Sequence, residues 1–352
     1  MDFEQNNNLS EPTGPQLPGP MPSPTQDATT VRTSSRATGW KVFFGIILAL
    51  SIIANIALVL MLIGVVTLFA TGQRGLLTEE VIRKGPARTK IAIISLEGII
   101  HGGQAKDVYR QLKAARQDKR VKALIVRVNS PGGTISGSDQ IYKEILKYRQ
   151  EEKKPVIAFM QGVAASGGYY TSVACEKIIA EPTTITGSIG VIFAHFVIQE
   201  LLENKLGIQP FTITSGPKKD WPSMFESFTE EQREYIQRKL IDPAYERFVQ
   251  VVTEGRKSSL TEDQIRQLAD GGIFGAQEAL EKKLIDEIGY LDEAIELVKS
   301  LAGIEKAQVV QYRKPLSLAS FLSYRHQNAL KINTDTLYEL STPRILYLWT
   351  AY

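Results

Sequence analysis

ALIVRVNSPGG, from Ala123 to Gly133, and VIAFMQGVAASGGYY, from Val156 to Tyr170, are the stretches on which the fold turns. Each opens as a short run of β-branched and apolar residues without polar alternation, the pattern of a strand buried on both faces. Each then runs into glycines, and a helical spacing follows, at Ile135–Tyr148 after the first and directly after Ser166 in the second. The same alternation extends outward. Lys90–Leu96, Lys177–Ala180, Ile189–Phe193 and Phe211–Thr214 read as further strands, and Val108–Arg116 as a helix. Thr229–Glu254 reads as the longest helix, with Thr229 as its cap and Glu230 and Glu231 in its first turn. Strands alternating with helices predict an α/β fold with a parallel sheet covered on both faces. No repeat with a period of 20–50 residues is present, which argues against a solenoid.

Towards the N-terminus the character changes twice. Prolines crowd between Pro12 and Pro24, apolar residues are sparse, and residues 1–41 read as a disordered Pro-rich tail. From Val42 to Ala70 no charged side chain occurs. As a helix this run reaches about 43 Å, more than the roughly 30 Å a bilayer core requires. It is too long for the apolar part of a cleavable signal peptide, and Leu68-Phe69-Ala70-Thr71 lacks a small-x-small cleavage site. The run reads as a single transmembrane anchor in contact with membrane lipid. Its orientation is not set by charge, because Arg32, Arg36 and Lys41 on one side balance Arg74, Arg83 and Lys84 on the other. Residues 71–88 read as a linker, 89–311 as the main domain, and 312–352 as a C-terminal tail that regains apolar character at Ile345-Leu346-Tyr347-Leu348-Trp349.

Composition removes several function classes. With 41 Lys+Arg against 38 Asp+Glu the net charge is +3, and no basic cluster suggests a nucleic-acid partner. One cysteine, Cys175, excludes an internal disulfide framework, and His101, His195 and His326 are too scattered for a zinc centre. No metal or other cofactor is expected.

The chemistry is expected at the glycine-rich turns. Asn129-Ser130-Pro131-Gly132-Gly133 ends a strand with bare backbone N–H groups, although a glycine pair alone also makes an ordinary tight turn. Gly162–Tyr170 is a strand-to-helix turn that can expose the Ser166 hydroxyl at a helix start, in the manner of a nucleophile elbow. The alternative is a small-residue helix packed tightly on the sheet. A serine nucleophile needs a base. His195 is one candidate, inside an apolar strand and without a committed acidic partner. The other is a lysine of Ser215-Gly216-Pro217-Lys218-Lys219-Asp220, if Trp221, Met224, Phe225 and Phe228 form a dry wall that lowers its pKa. Without such a wall the two lysines are an ordinary solvated pair.

The order of these motifs, with Thr186-Gly187-Ser188-Ile189-Gly190-Val191 between the last two, resembles signal peptide peptidase A in its single-copy form. The resemblance covers roughly residues 89–300 and implies a Clp-protease/crotonase-like fold of repeated ββα units behind an N-terminal transmembrane helix. It implies a membrane-bound serine endopeptidase with Ser166 as nucleophile, Lys219 as general base and Ser188 orienting the lysine. The backbone N–H groups of Gly133 and Gly167 would form the oxyanion hole. It weakens His195, because Phe193 stands where the Clp protease carries its histidine. It further implies a homo-oligomer, an octamer, in which serine and lysine meet across a subunit interface, with the catalytic domain extracytoplasmic. The expected substrates are signal-peptide remnants and other unfolded apolar peptides. One departure is Gly271-Gly272-Ile273-Phe274-Gly275, where the family carries an arginine at the position of Gly272. That segment reads as structural.

The apolar tail segment 343–349 is itself a candidate occupant of a peptide groove. Two rival functions share the fold: an acyl-CoA enzyme of the crotonase type, which gives Ser166 and Lys219 no role, and a membrane scaffold without catalysis.

Overall fold

The uncharged run folds as one helix, α1 (Arg36–Gly72), whose Gly39–Val65 portion has a mean hydropathy of 3.0 and is long and apolar enough to cross a membrane. This structure is a computed structural model and describes residues 36–72, 77–313 and 344–350. The expectations for residues 1–35 and 314–343 lie outside the described residues. The chain divides near Val66 into two compact units.

The second unit runs β1 (Thr78–Arg83), β2 (Lys90–Glu97), α2 (Gly102–Gln117), β3 (Val121–Ser130), β4 (Gly132–Thr134), α3 (Ile135–Glu152), β5 (Val156–Ala165), α4 (Gly167–Ser172) and β6 (Lys177–Ala180). It continues through β7 (Ile185–Gly187), β8 (Ile192–Ala194), α5 (Glu230–Ile236), α6 (Asp242–Arg256), α7 (Glu262–Leu268), β9 (Ile273–Gly275), α8 (Ala276–Glu281), β10 (Glu287–Ile288), α9 (Leu291–Ala302), β11 (Gln308–Arg313) and β12 (Arg344–Leu348). The main sheet has the order β1-β11-β2-β3-β5-β6-β10, parallel except for β1 at its edge. Thus α/β alternation with a mostly parallel central sheet, as the strand patterns require, is the architecture. Continuous apolar strands bury both faces. Ile91, Ile93, Ile125, Ile157 and Phe159 pack with Ala294, Ile295 and Val298 of α9, while Ile94, Val126, Val128 and Met160 pack towards α2, α3, α4 and α6.

Three features differ from the sequence reading. First, β1 falls inside the stretch read as linker and pairs with β11. Second, β8 is shifted to Ile192–Ala194, and the short β7 precedes it. Third, Phe211–Thr214 forms no strand: among the described residues it has no partner, and Phe211 and Ile213 are 86% and 85% exposed. A β-propensity pattern becomes a strand only where a neighbour supplies hydrogen bonds.

Two irregularities shape the site. Strand β5 pairs with β6 as far as Met160, turns at Gly162 (φ +62°), and pairs with β7 from Val163 to Ala165. A second, three-stranded sheet, β4-β12-β8, places the tail strand β12 antiparallel against both β4 and β8.

Candidate active site

Ser166 closes β5 and caps α4 with φ 53° and ψ −114°, a left-handed conformation costly for a residue with a Cβ. Its N–H donates to the Gly187 carbonyl at 2.8 Å and its own carbonyl accepts from Tyr170 N–H at 2.8 Å. These bonds hold the sharp strand-to-helix turn. The serine is 1% exposed, and its side chain makes no cap bond to its helix.

The second glycine turn is fixed from three sides. Ser130 Oγ accepts from Gly132 N–H at 3.0 Å inside the turn. Ile100 N–H donates to the Gly132 carbonyl, and Thr134 N–H to the Ile100 carbonyl, each at 2.8 Å. On the other side lies β12, in the register Leu346–Thr134, Tyr347–Gly133 and Leu348–Gly132. Trp349 N–H donates to the Pro131 carbonyl at 2.8 Å. Since hydrogen-bonded pairs alternate along an antiparallel ladder, Tyr347 and Gly133 form the next bonded pair. The Tyr347 carbonyl therefore faces the Gly133 N–H. It also lies beside Gly167, where a Cβ would come within 3.1 Å of that oxygen, and a Cβ on Gly132 would come within 2.7 Å of Gly167 N. Glycine is required here because three backbones converge. Gly133 and Gly167 are thus brought to one carbonyl oxygen, next to Ser166.

Ser188 follows Gly187 directly, so the bond from Ser166 N–H puts both serines at adjacent strand ends. Ser188 has φ 48° and is largely buried, and its N–H donates to the Gly272 carbonyl at 2.6 Å. The Gly271–Gly275 segment therefore has a definite task. Its β9 pairs with β7, and its Gly272 carbonyl anchors Ser188. An acceptor on the backbone serves whatever the side chain, which is why the missing arginine gave no sign of it. Ser188 lines a cavity of about 510 Å³ with Gly190, Ile192, Asp242, Tyr245 and Leu348.

Lys219 is not brought to this place within the chain. It lies exposed in the turn after Gly216, outside the residues lining the Ser188 cavity, and among the described residues no hydrogen bond or ion pair engages its ammonium. Of the wall expected from Trp221, Met224, Phe225 and Phe228, only Trp221 meets a lysine ammonium, and it is that of Lys218, with Tyr235 as the second ring. The Lys218 ammonium sits 5.0 Å from the Trp221 ring centre and 4.7 Å from that of Tyr235. The competing base is committed elsewhere: His195 Nε2 is 3.1 Å from the Ser223 carbonyl, which requires that nitrogen to carry the proton, and the ring centre lies 6.2 Å from that of Phe193 and 6.3 Å from that of Phe228.

Sequence reasoning did not find Tyr347 as a site residue. Its side chain is fully buried against Tyr170 and Phe248, and its hydroxyl donates to the Ala244 carbonyl at 2.6 Å. Tyr170 donates in turn to Asp139 at 2.5 Å, and Arg247 donates to the same carboxylate at 3.0 Å. Among the described residues no group of His, Cys, Asp and Glu has the geometry of a metal site.

Comparison with known proteins agrees in kind. The profile of Peptidase family S49 matches residues 148–305, and that of Clp protease matches residues 86–184. A putative signal peptide peptidase SppA of Enterococcus faecium is 36% identical over 248 residues, 67% of this chain and 71% of that protein. A putative protease of Synechocystis is 38% identical over 237 residues, 66% of this chain and 83% of that protein. The chloroplastic serine protease SPPA of Arabidopsis thaliana is 34% identical over 244 residues, 68% of this chain but 34% of its own length.

Proposed function

Because the chain belongs to peptidase family S49 and is a serine peptidase, we propose that it is a membrane-anchored endopeptidase using a Ser166/Lys219 dyad. The observation that carries this reading is the peptide already lying in the groove: Tyr347 presents its carbonyl to Gly133 and Gly167 beside Ser166. In the reaction a substrate strand replaces β12. Ser166 Oγ attacks the carbonyl carbon while Lys219 Nζ accepts the hydroxyl proton. The N–H groups of Gly133 and Gly167 donate to the resulting oxyanion, an interaction whose loss typically costs about 2.7–4 kcal/mol. Collapse breaks the C–N bond, the lysine returns its proton to the leaving amine, and an acyl-enzyme ester remains for water to hydrolyse. Ser188 orients the lysine amine from the adjacent cavity.

A lysine serves as a general base only in a dry site, and none encloses Lys219 in the single chain. Its exposure in the single chain, on an arm that also exposes Phe211 and Ile213, supports a site completed by a neighbouring copy in a homo-oligomer. We take the assembly to be an octameric ring. Helix α1 holds the ring at the membrane, with Trp40, Phe43 and Phe44 clustered at one end of the apolar run where interfacial aromatics belong. The peptidase domain lies on the extracytoplasmic side. Substrates are extended apolar peptides, signal-peptide remnants among them, because the groove binds by strand addition. The tail strand is a resident competitor for the same groove.

Cleavage of an apolar fluorogenic peptide by the full chain in detergent tests the dyad. Ser166→Ala and Lys219→Ala are each expected to abolish turnover, and His195→Ala to retain it. An active Lys219→Ala variant would sink the dyad.

A further inference from the structure

We propose that the pocket holding the Tyr347 side chain selects a phenol, so that this peptidase prefers tyrosine to phenylalanine immediately before the cleaved bond. The proposal rests on the reading of β12 as a substrate strand, and it names the side chain which that strand must carry.

The pocket has walls and a polar floor. Tyr170 of α4 stacks on the Tyr347 ring with centroids 5.1 Å apart and planes at 26°. Phe248 of α6 forms the adjoining wall, 4.6 Å from the Tyr347 ring and 5.1 Å from that of Tyr170. Tyr142 meets Tyr170 edge-on at 5.4 Å and supports that wall. Planar walls of this kind favour a flat ring over a branched aliphatic chain. The floor is the Ala244 carbonyl, which accepts the Tyr347 hydroxyl at 2.6 Å. The ring is 0% exposed, so no bulk water takes the place of a missing donor. A phenylalanine keeps the stacking and leaves the carbonyl facing a hydroxyl-sized void. Sites that hydrogen-bond a substrate hydroxyl reject the analogue lacking it far more strongly than apolar pockets reject a missing methylene. The acidic and basic groups next to the pocket are already paired with one another, Asp139 with Tyr170 and Arg247, and Glu254 with the Tyr142 hydroxyl. Burial also keeps the Tyr347 phenol protonated, hence a donor. Strand alternation turns Ile345 to the same side as Tyr347, where it lines a second cavity with Ile135, Leu240 and Pro243. The preferred sequence is therefore apolar, any residue, tyrosine.

Fluorogenic peptides built on Pro-Arg-Ile-Leu-X-Leu, with X as tyrosine, phenylalanine, 4-aminophenylalanine or 4-fluorophenylalanine, test this on the full chain. Resident β12 lowers all four rates by one factor, so ratios of kcat/KM are unaffected by it. Tyrosine and the amino analogue, both donors, are expected to exceed phenylalanine and the fluoro analogue by about tenfold. Equal rates for tyrosine and phenylalanine, or an amino analogue as poor as phenylalanine, overturn the proposal while leaving the peptidase reading intact. A second readout needs no turnover. In a Ser166→Ala background, Tyr347→Phe is expected to make the tail about tenfold more susceptible to trypsin at Arg344. Unchanged susceptibility counts against the phenol bond. Increased susceptibility with no peptide cleaved by the wild type would instead overturn the peptidase reading and leave the pocket standing.

Discussion

Ser166 sits at φ 53° and ψ −114°, a conformation that costs an L-residue about 1–3 kcal/mol. The bond that its N–H donates to the Gly187 carbonyl and the one that its carbonyl accepts from Tyr170 N–H hold it there. Replacing it by glycine removes the strain and, with it, the hydroxyl proposed as the nucleophile. Ser166→Gly is therefore expected to be inactive yet more stable by about 1 kcal/mol, once the extra chain entropy of glycine is subtracted. Thermal unfolding reads this as a rise of about 2–4 °C, and a fall relative to Ser166→Ala would contradict the strain argument. At this scale the sequence was informative where function needs an unusual residue. Adjacent glycines at Gly132–Gly133 and the small residues around Ser166 could be read directly, because only missing side chains permit those backbones to meet. Roles played by backbone atoms left no trace. The Gly272 carbonyl that anchors Ser188 and the Ala244 carbonyl beneath Tyr347 belong to groups every residue possesses. The lysines illustrate a different limit: of the expected wall only Trp221 receives an ammonium, the turn geometry gives it Lys218, and the second ring, Tyr235, comes from the following helix.

Among the elements, the long strands β2, β3, β5 and β6 were legible because burial on both faces enforces unbroken apolar runs. The helix start at Thr229 was equally plain, since a side-chain cap is a local signal, and the capping box with Gln232 is present. Beyond it the helix passes through a π turn at Gln237–Ile241 into α6, which sets the Pro243–Phe248 face towards Tyr347. Three-residue strands such as β7 and β9 carry too few side chains for any period to show. Strand β12 was visible only as an apolar patch, because its partners lie more than a hundred residues away in β4 and β8. Its energetics follow from tethering. A tail held by its own chain competes at an effective concentration in the millimolar range, so a groove with micromolar affinity for it is mostly filled. Truncation after Ser341 is expected to raise kcat/KM for short peptides on the order of tenfold or more. Adding the free peptide Arg344–Trp349 to the truncated enzyme is expected to inhibit it competitively. Unchanged activity after truncation would mean that β12 does not compete with substrate.

For the whole molecule, pH and the proposed assembly each give a prediction. Burial raises the Cys175 thiol and the Tyr142 phenol to about 12, from reference values of 9.0 and 10.0. In the unfolded chain these groups ionise first, so their contribution is complete below about pH 8.5 and is lost as pH rises through the folded values. The hydrogen bond from Arg120, with Lys90 close by, holds Asp118 well below the usual carboxylate range, and its contribution is lost as pH falls below about 4. The melting temperature is thus expected to be flat between about pH 5 and 8 and to fall on either side, and a maximum above pH 9 would contradict it. The proposed assembly ties oligomeric state to catalysis. If Lys219 acts on a neighbour's Ser166, each site draws its two reactive groups from different copies in a head-to-tail ring. Ser166→Ala and Lys219→Ala subunits, each inactive alone, then complement one another. In rings formed from an equal mixture, a site is competent when the Lys219→Ala subunit supplies the serine and a Ser166→Ala neighbour supplies the lysine, which random assembly gives in about a quarter of sites. Activity near that fraction, appearing only after dissociation and reassembly, is the expected result. If serine and lysine came from the same copy, no mixture of the two variants would regain turnover at any ratio, and the exposed Lys219 of the single chain would need a rearrangement of its own arm to reach Ser166.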